Sequence, residues 1–207
     1  MKTKLLALLT LCLALTAKAQ IVAEYLPTST ILAALPGTSK TSQTFVAQHT
    51  GSAGMVLLGV SSLGAPPANI VIEIRSTNSG VPDITGGGLL ASRSVAGSQL
   101  PTFGSSSLLA VDFSSTGFVF QSGVQYALAA SGTATFAWNG TDPGAYADGS
   151  MYQDTAFFPT QNGPDRDLVF SVSLASVPEP ASFACVMGLL ALLGCLVRRK
   201  QLAGQVK

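Results

Sequence analysis

The sequence predicts an all-β protein, an antiparallel β-sandwich of jelly-roll type, between an N-terminal signal peptide and a single C-terminal transmembrane helix. Residues 41–175 consist of short apolar runs separated by Gly, Pro, Ser and Asn, without the period of an amphipathic helix. Each end of the chain carries an uncharged apolar segment. The N-terminal segment has the length of an export signal, and the C-terminal segment has the length of a membrane span.

The first nineteen residues have the three parts of a signal peptide. A short basic start is followed by the apolar run Leu5–Leu15, which is too short to span a membrane. Ala17 and Ala19 form a small-residue cleavage site, so we expect cleavage before Gln20.

Residues 20–40 are predicted as an N-terminal segment with one early strand, and residues 41–175 as the sandwich domain. The clearest strand is Ile70–Arg75, whose isoleucines share one face while Glu73 and Arg75 lie on the other. About nine short strands with regular turns favour packed antiparallel sheets. The other predicted strands cover 43–47, 55–63, 89–95, 108–113, 118–120, 125–130, 133–138 and 168–174.

The composition of the predicted exported part excludes several classes of partner and chemistry. Between Gln20 and Val177 there are four Lys or Arg and nine Asp or Glu residues, and four minus nine gives a formal charge of −5. This balance argues against binding nucleic acid, which requires a basic face. The cysteines, Cys12, Cys185 and Cys195, lie in the terminal apolar segments, so the domain between them has no disulfide or Cys-ligated metal.

Residues 176–207 are predicted as a C-terminal unit. It begins with Pro178, Glu179 and Pro180, and the uncharged run 181–197 would form a helix of roughly 26 Å, just long enough for a bilayer core. The two prolines favour a rigid extended stretch outside the membrane, which suits a protease.

Three consecutive cations, Arg198, Arg199 and Lys200, end the apolar run as a stop-transfer signal. The positive-inside rule assigns them to the cytoplasm and everything before Pro178 to the outside. From the residues alone, a plain membrane anchor with a proline-rich stem is the alternative to a processed tail.

The order of Pro178-Glu179-Pro180, the apolar run and the Arg-rich end resembles the PEP-CTERM sorting signal. The resemblance implies processing by exosortase, a membrane transpeptidase of exopolysaccharide-producing Gram-negative bacteria. It further implies an inner-membrane tether during transit, then a place at the cell surface or in the extracellular matrix, in association with exopolysaccharide. Whether the mature protein stays anchored or is released is left open.

The domain also resembles the choice-of-anchor β-sandwiches of R type. The matching pieces are Ser79–Pro82 before Leu89–Ala91, then Gly123–Leu128, and Asp167–Phe170. This resemblance implies a surface domain and adds no catalytic residues.

Catalytic signals are weak. His49 is the chain's one histidine and falls in a predicted turn, without a nucleophile motif. Asp165 and Asp167 could pair as glycosidase carboxylates, but a solvated loop is favoured. We therefore expect that the protein has no enzymatic activity and binds no cofactor.

Two binding hypotheses remain beside a purely structural role. Asp142, Asp148 and Asp154 are weak candidate calcium ligands for a calcium-dependent adhesion domain, and ordinary Asp-Gly turn chemistry is the favoured explanation. Trp138 is a candidate surface for stacking a sugar, in which case the domain is a carbohydrate-binding module. The favoured alternative is that Trp138 fills the core.

Overall fold

The structure is a computed structural model that describes residues 19–28, 30–34, 36–157 and 166–176. In these ranges the chain is all-β, with strands paired antiparallel and helical backbone confined to three single 3-10 turns, which confirms the predicted class. The predicted sorting motif, helix 181–197, stop-transfer cations and Ala17 lie outside the described residues. Among the described residues, none forms a helix of the length and apolarity that a membrane crossing needs.

The strands are short, and most are bounded by Gly, Pro or Ser turns. In chain order they are β1 Ile21–Tyr25, β2 Ile31–Ala34, β3 Thr41–Val46, β4 Gly51–Leu58, β5 Val60–Ser61, β6 Asn69–Asn78, β7 Val81–Pro82, β8 Leu89–Ala96, β9 Leu109–Asp112, β10 Val119–Phe120, β11 Gln125–Gly132, β12 Ala137–Thr141, β13 Met151–Gln153, β14 Ala156–Phe157, β15 Asp167–Leu168 and β16 Phe170–Leu174.

The strands of the described residues form two larger sheets and one small one. The first sheet runs β1-β16-β4, with β9 and β10 on the other edge of β4. The second runs β14-β13-β3-β11-β6, followed by β8, while β7 pairs with the end of β6. The small sheet has β12 between β2 on one side and β5 and β15 on the other. Because β5 continues β4 and β15 leads into β16, the small sheet extends the first.

Aromatic rings from the two larger sheets meet in the core. The Phe45 ring on β3 lies 6.0 Å from Phe120, 6.1 Å from Tyr126 and 5.7 Å from Phe170, centroid to centroid. Phe45 and Tyr126 come from the second sheet, and Phe120 and Phe170 from the first. The sheets therefore pack face to face, as in a sandwich.

Several strand boundaries differ from the sequence-based prediction. Residues 20–40 contain two strands, and Gln20–Ala175 forms one compact unit. The predicted strands 55–63 and 168–174 are interrupted at Gly59 and Val169. The predicted 133–138 strand lies at Ala137–Thr141 instead, and β7, β13 and β14 were missed because their apolar runs are too short to show a period.

Candidate binding groove

A groove opens where the first sheet divides. β4 and β16 pair up to Leu58 and Phe170, and beyond that point β12 enters between them. Three backbone hydrogen bonds close the junction: Gly59 N donates to Val169 O at 3.0 Å, Asn139 N to Gly59 O at 2.8 Å, and Val169 N to Asn139 O at 2.9 Å. These residues form a floor whose backbone groups bond one another.

Glycine is required at the centre of this floor. A Cβ atom at Gly59 would lie 2.7 Å from the Cβ atom of Val169, well inside van der Waals contact. Any larger residue would push the two strands apart. The glycine therefore allows Gly59 and Val169 to approach each other closely in the floor of the groove.

The groove has a volume of about 280 Å³ and a lining of mixed polarity. Two chain segments wall it, one preceding β2 and one preceding β9. None of the described residues that line it is ionisable. They are Leu26, Pro27, Thr28, Thr30, Gly59, Ser105, Ser106, Ser107, Leu108, Asn139 and Val169.

Most of the polar side chains in the groove are unengaged. Ser105 Oγ accepts a hydrogen bond from Ser107 N at 3.1 Å. Within the described part of the chain, the side-chain amide of Asn139 and the hydroxyls of Thr28 and Ser106 make no hydrogen bond. Asn139 is half-buried and Thr28 and Ser106 are exposed, so these groups can reach a ligand.

Trp138 lies beneath the groove and not in it. The side chain is fully buried, and its Nε1 donates to Val169 O at 3.0 Å. Trp138 fills the core, and in this arrangement its ring has no exposed face on which a sugar could stack. Asn139, the next residue along the strand, points the other way and lines the groove.

The three candidate calcium ligands do not come together. Asp142 Oδ2 pairs with Arg166 Nη2 at 3.0 Å, and Asp154 Oδ1 accepts from Lys40 N at 3.0 Å. Asp148 is exposed in a turn. Over the described ranges, no group of three or more His, Cys, Asp or Glu residues could hold a metal ion.

Asp167, one of the candidate glycosidase carboxylates, is buried and engaged. Its Oδ1 accepts from Gln43 Nε2 at 3.2 Å, and its Oδ2 accepts from Tyr146 N at 2.7 Å. Gln43 Oε1 in turn accepts from Leu168 N at 2.8 Å. These bonds tie β15 to β3, which is a structural role, and Asp165 lies outside the described residues. His49 is half-buried in the bend between β3 and β4.

A charged network lies on the face of β6 that points away from the core. Glu73 Oε2 accepts from Arg75 Nε and from Lys40 Nζ, each at 2.6 Å. Arg75 Nη1 also donates to the carbonyls of Asp83 and Thr85. The network therefore fastens the loop after β7 to the sheet.

Burial and the two neighbouring cations shift the pKa of Glu73 in opposite directions. Burial alone would raise that pKa, but the hydrogen bonds from Arg75 and Lys40 and their positive charges outweigh it. The pKa consequently lies below the ordinary value of 4.5, and the carboxylate is ionised at neutral pH.

Comparison with known proteins adds no identification: no protein family model matches the chain, and no curated protein matches it.

Proposed function

We propose that the chain is an exported, non-catalytic surface or extracellular-matrix protein whose C-terminal tail is a PEP-CTERM sorting signal processed by an exosortase-type enzyme. The observation that carries the proposal is the order of the tail: Pro178-Glu179-Pro180, the apolar run 181–197 and the cations Arg198–Lys200. In this account the protein is tethered to the inner membrane during transit and then joins the cell surface or the exopolysaccharide.

The way the folded body ends supports this proposal. β16 lies between β1 and β4, and its last backbone N–H groups are bonded: Leu174 N donates to Gln20 O at 2.8 Å, and Ala175 N to Ser52 O at 2.9 Å. Only Ser176 and Val177 then separate the last bonded residue from Pro178. The folded body thus ends within two residues of the sorting motif in sequence, and its last bonded residues lie against Gln20, the expected mature N-terminus.

We further propose a specific type of β-sandwich for the folded body. A choice-of-anchor domain of R type, with jelly-roll connections, is supported by the β6–β7 hairpin at Ser79–Pro82 and by the Gly-x-x-Tyr strand at Gly123–Tyr126. Tyr126 Oη accepts from Gln121 N at 3.0 Å, which ties that strand to the turn before it. The non-catalytic assignment is supported by the engaged carboxylate of Asp167.

The test is Glu179→Ala in a cell that contains exosortase. A charge at the membrane edge contributes little to insertion, so the variant should still insert, but it should not be processed and should accumulate at full length in the membrane fraction. Glu24→Ala, which changes an exposed glutamate on β1, is the matched control and should be processed normally. Deleting Arg198–Lys200 should instead weaken membrane retention.

If Glu179→Ala is processed like the unaltered chain, the sorting proposal fails and the plain membrane anchor is correct.

A further inference from the structure

We propose that the groove floored by Gly59, Asn139 and Val169 binds an uncharged stretch of polysaccharide, one or two sugar rings at a time. The proposal deepens the proposed function, on which it rests for the source of the ligand, since it names the contact with the surrounding matrix. The proposed sugar site is therefore the accessible lining of the groove, and not Trp138, which is buried beneath it.

The lining selects against charge. No described residue of the groove is ionisable, and an ionic ligand buried there would lose hydration without gaining a counter-charge. Phosphate, carboxylate and ammonium ligands are therefore disfavoured. This absence also separates the groove from the Glu73 network and the Asp142–Arg166 pair, where each carboxylate is paired with a cation of the protein.

The polar groups of the groove match a sugar in kind. Each hydroxyl of Ser106 or Thr28 can donate and accept a hydrogen bond, and the Asn139 amide does both through separate atoms. Sugar hydroxyls offer the same mixture. Leu26 and Leu108 provide apolar surface for the C–H face of a sugar ring.

The size of the groove limits the ligand to a short segment. A volume of about 280 Å³ lies at the lower end of small-molecule sites, which start near roughly 300 Å³. This is room for one or two rings of a chain. Leu26 is 44% exposed and Ser105–Ser107 are exposed, so a polymer can continue past the groove on the surface.

A peptide is a poorer fit. Peptides bind at sheets chiefly by adding a strand to free backbone N–H and C=O groups. Here Gly59 N, Asn139 N and Val169 N all donate to carbonyls of the same three residues. The floor therefore offers side chains and no free strand edge.

The single tryptophan provides a built-in reporter. Trp138 Nε1 donates to Val169 O in the groove floor, so a ligand that settles there should change the indole emission. The experiment titrates the purified full-length chain in detergent with dextran, soluble starch and cellohexaose. Alginate serves as the charged polysaccharide and an uncharged Gly-Ser-Thr peptide as the competing class.

We expect a saturable change in emission with at least one neutral glycan and none with alginate or the peptide. Asn139→Leu should weaken the binding about tenfold, the loss of one or two hydrogen bonds. Ser106→Phe, on an exposed loop, should block the groove without touching the core. Asn78→Leu makes the same change as Asn139→Leu on an exposed strand end and should bind normally.

Three results would overturn the proposal: no saturable change with any neutral glycan, binding of alginate or the peptide alone, or undiminished glycan binding by Ser106→Phe. None of them depends on processing of the tail, so this proposal and the sorting proposal can fail separately.

Discussion

The two faces of β6 are almost equally buried but are stabilised in different ways. On the inner face, Ile70, Ile72 and Ile74 are fully buried in the core. On the outer face, Glu73 is 7% exposed and Arg75 is 3% exposed. A period-2 pattern identifies the apolar face of a strand, but it does not show that the polar face reaches water.

The difference follows from what each face requires of its neighbours. The inner face needs only shape and apolar contact, which aromatic rings from both sheets supply. The outer face needs a partner for every charge, because a buried charge without one costs several kcal/mol. Lys40 and the loop carbonyls of Asp83 and Thr85 meet that need.

The largest expected effect is in the core, against which the inner face of β6 packs. Phe45→Ala removes the ring that contacts Phe120, Tyr126 and Phe170, and should lower the free energy of unfolding by about 3–5 kcal/mol. Urea unfolding measures it. Val119→Ala, at a side chain that is 41% exposed, is the control and should change stability by less than about 0.5 kcal/mol. A loss below 1 kcal/mol for Phe45→Ala, on the same scale as surface changes, would contradict the packing described.

On the outer face, Glu73→Ala leaves Arg75 buried without its carboxylate. The expected loss in the free energy of unfolding is about 3 kcal/mol, measured in the same way. Replacing both Glu73 and Arg75 by Leu should cost less than the single change, since Arg75 no longer remains as a buried unpaired charge and Lys40, whose side chain is 25% exposed, can turn to water. If the double variant is the less stable of the two, the charges are not coupled as the structure describes.

At the groove, Gly59→Ala should cost about 1–3 kcal/mol, because the added Cβ would overlap Val169. Gly86→Ala is the matched control: a Cβ there meets nothing within 4 Å, and stability should stay within about 0.5 kcal/mol. Thermal unfolding of the two variants side by side gives the comparison. Equal stabilities would mean that the floor of the groove is looser than described.

The smallest effect is a pH dependence confined to the outer face. The pKa of Glu73 is lower in the folded than in the unfolded chain, so its contribution is complete above the ordinary pKa of 4.5 and is lost as pH falls through the folded value. Glu73→Gln should therefore destabilise the protein at pH 7 and lose this disadvantage progressively as the pH falls below 4.5 and through the lower folded pKa. Urea midpoints across this range test it. A stability gap that stays constant with pH would show that ionisation of Glu73 contributes nothing.

The sequence predicted the elements whose pattern is local. The alternation in Ile70–Arg75 identified β6 and its inner face, and Gly and Pro turns identified most of the other strands. The interruptions at Gly59 and Val169 could not be predicted, since they depend on β12 entering between strands distant in sequence. The burial of Glu73 and Arg75 was missed because a strand pattern does not show that Lys40 and the loop after β7 fold over this face.

The candidate site was predicted only in part. The sequence drew attention to Trp138 and its neighbours and favoured a core position for the ring. Because a strand places successive side chains on opposite faces, Trp138 is buried while Asn139 lines the groove. The sequence did not indicate that Ser105, Ser106 and Ser107 line a groove, since polar loops are common on protein surfaces. Their meeting with Leu26 and Thr28 is a product of the tertiary fold.

The proposed function is tested most directly by the intact mass of the protein recovered from its native cell. We expect a chain that begins at Gln20 and ends near Pro178–Pro180, without the apolar run and its cations. A mass that includes residues 181–207 would show that the tail is a permanent anchor and would contradict the account.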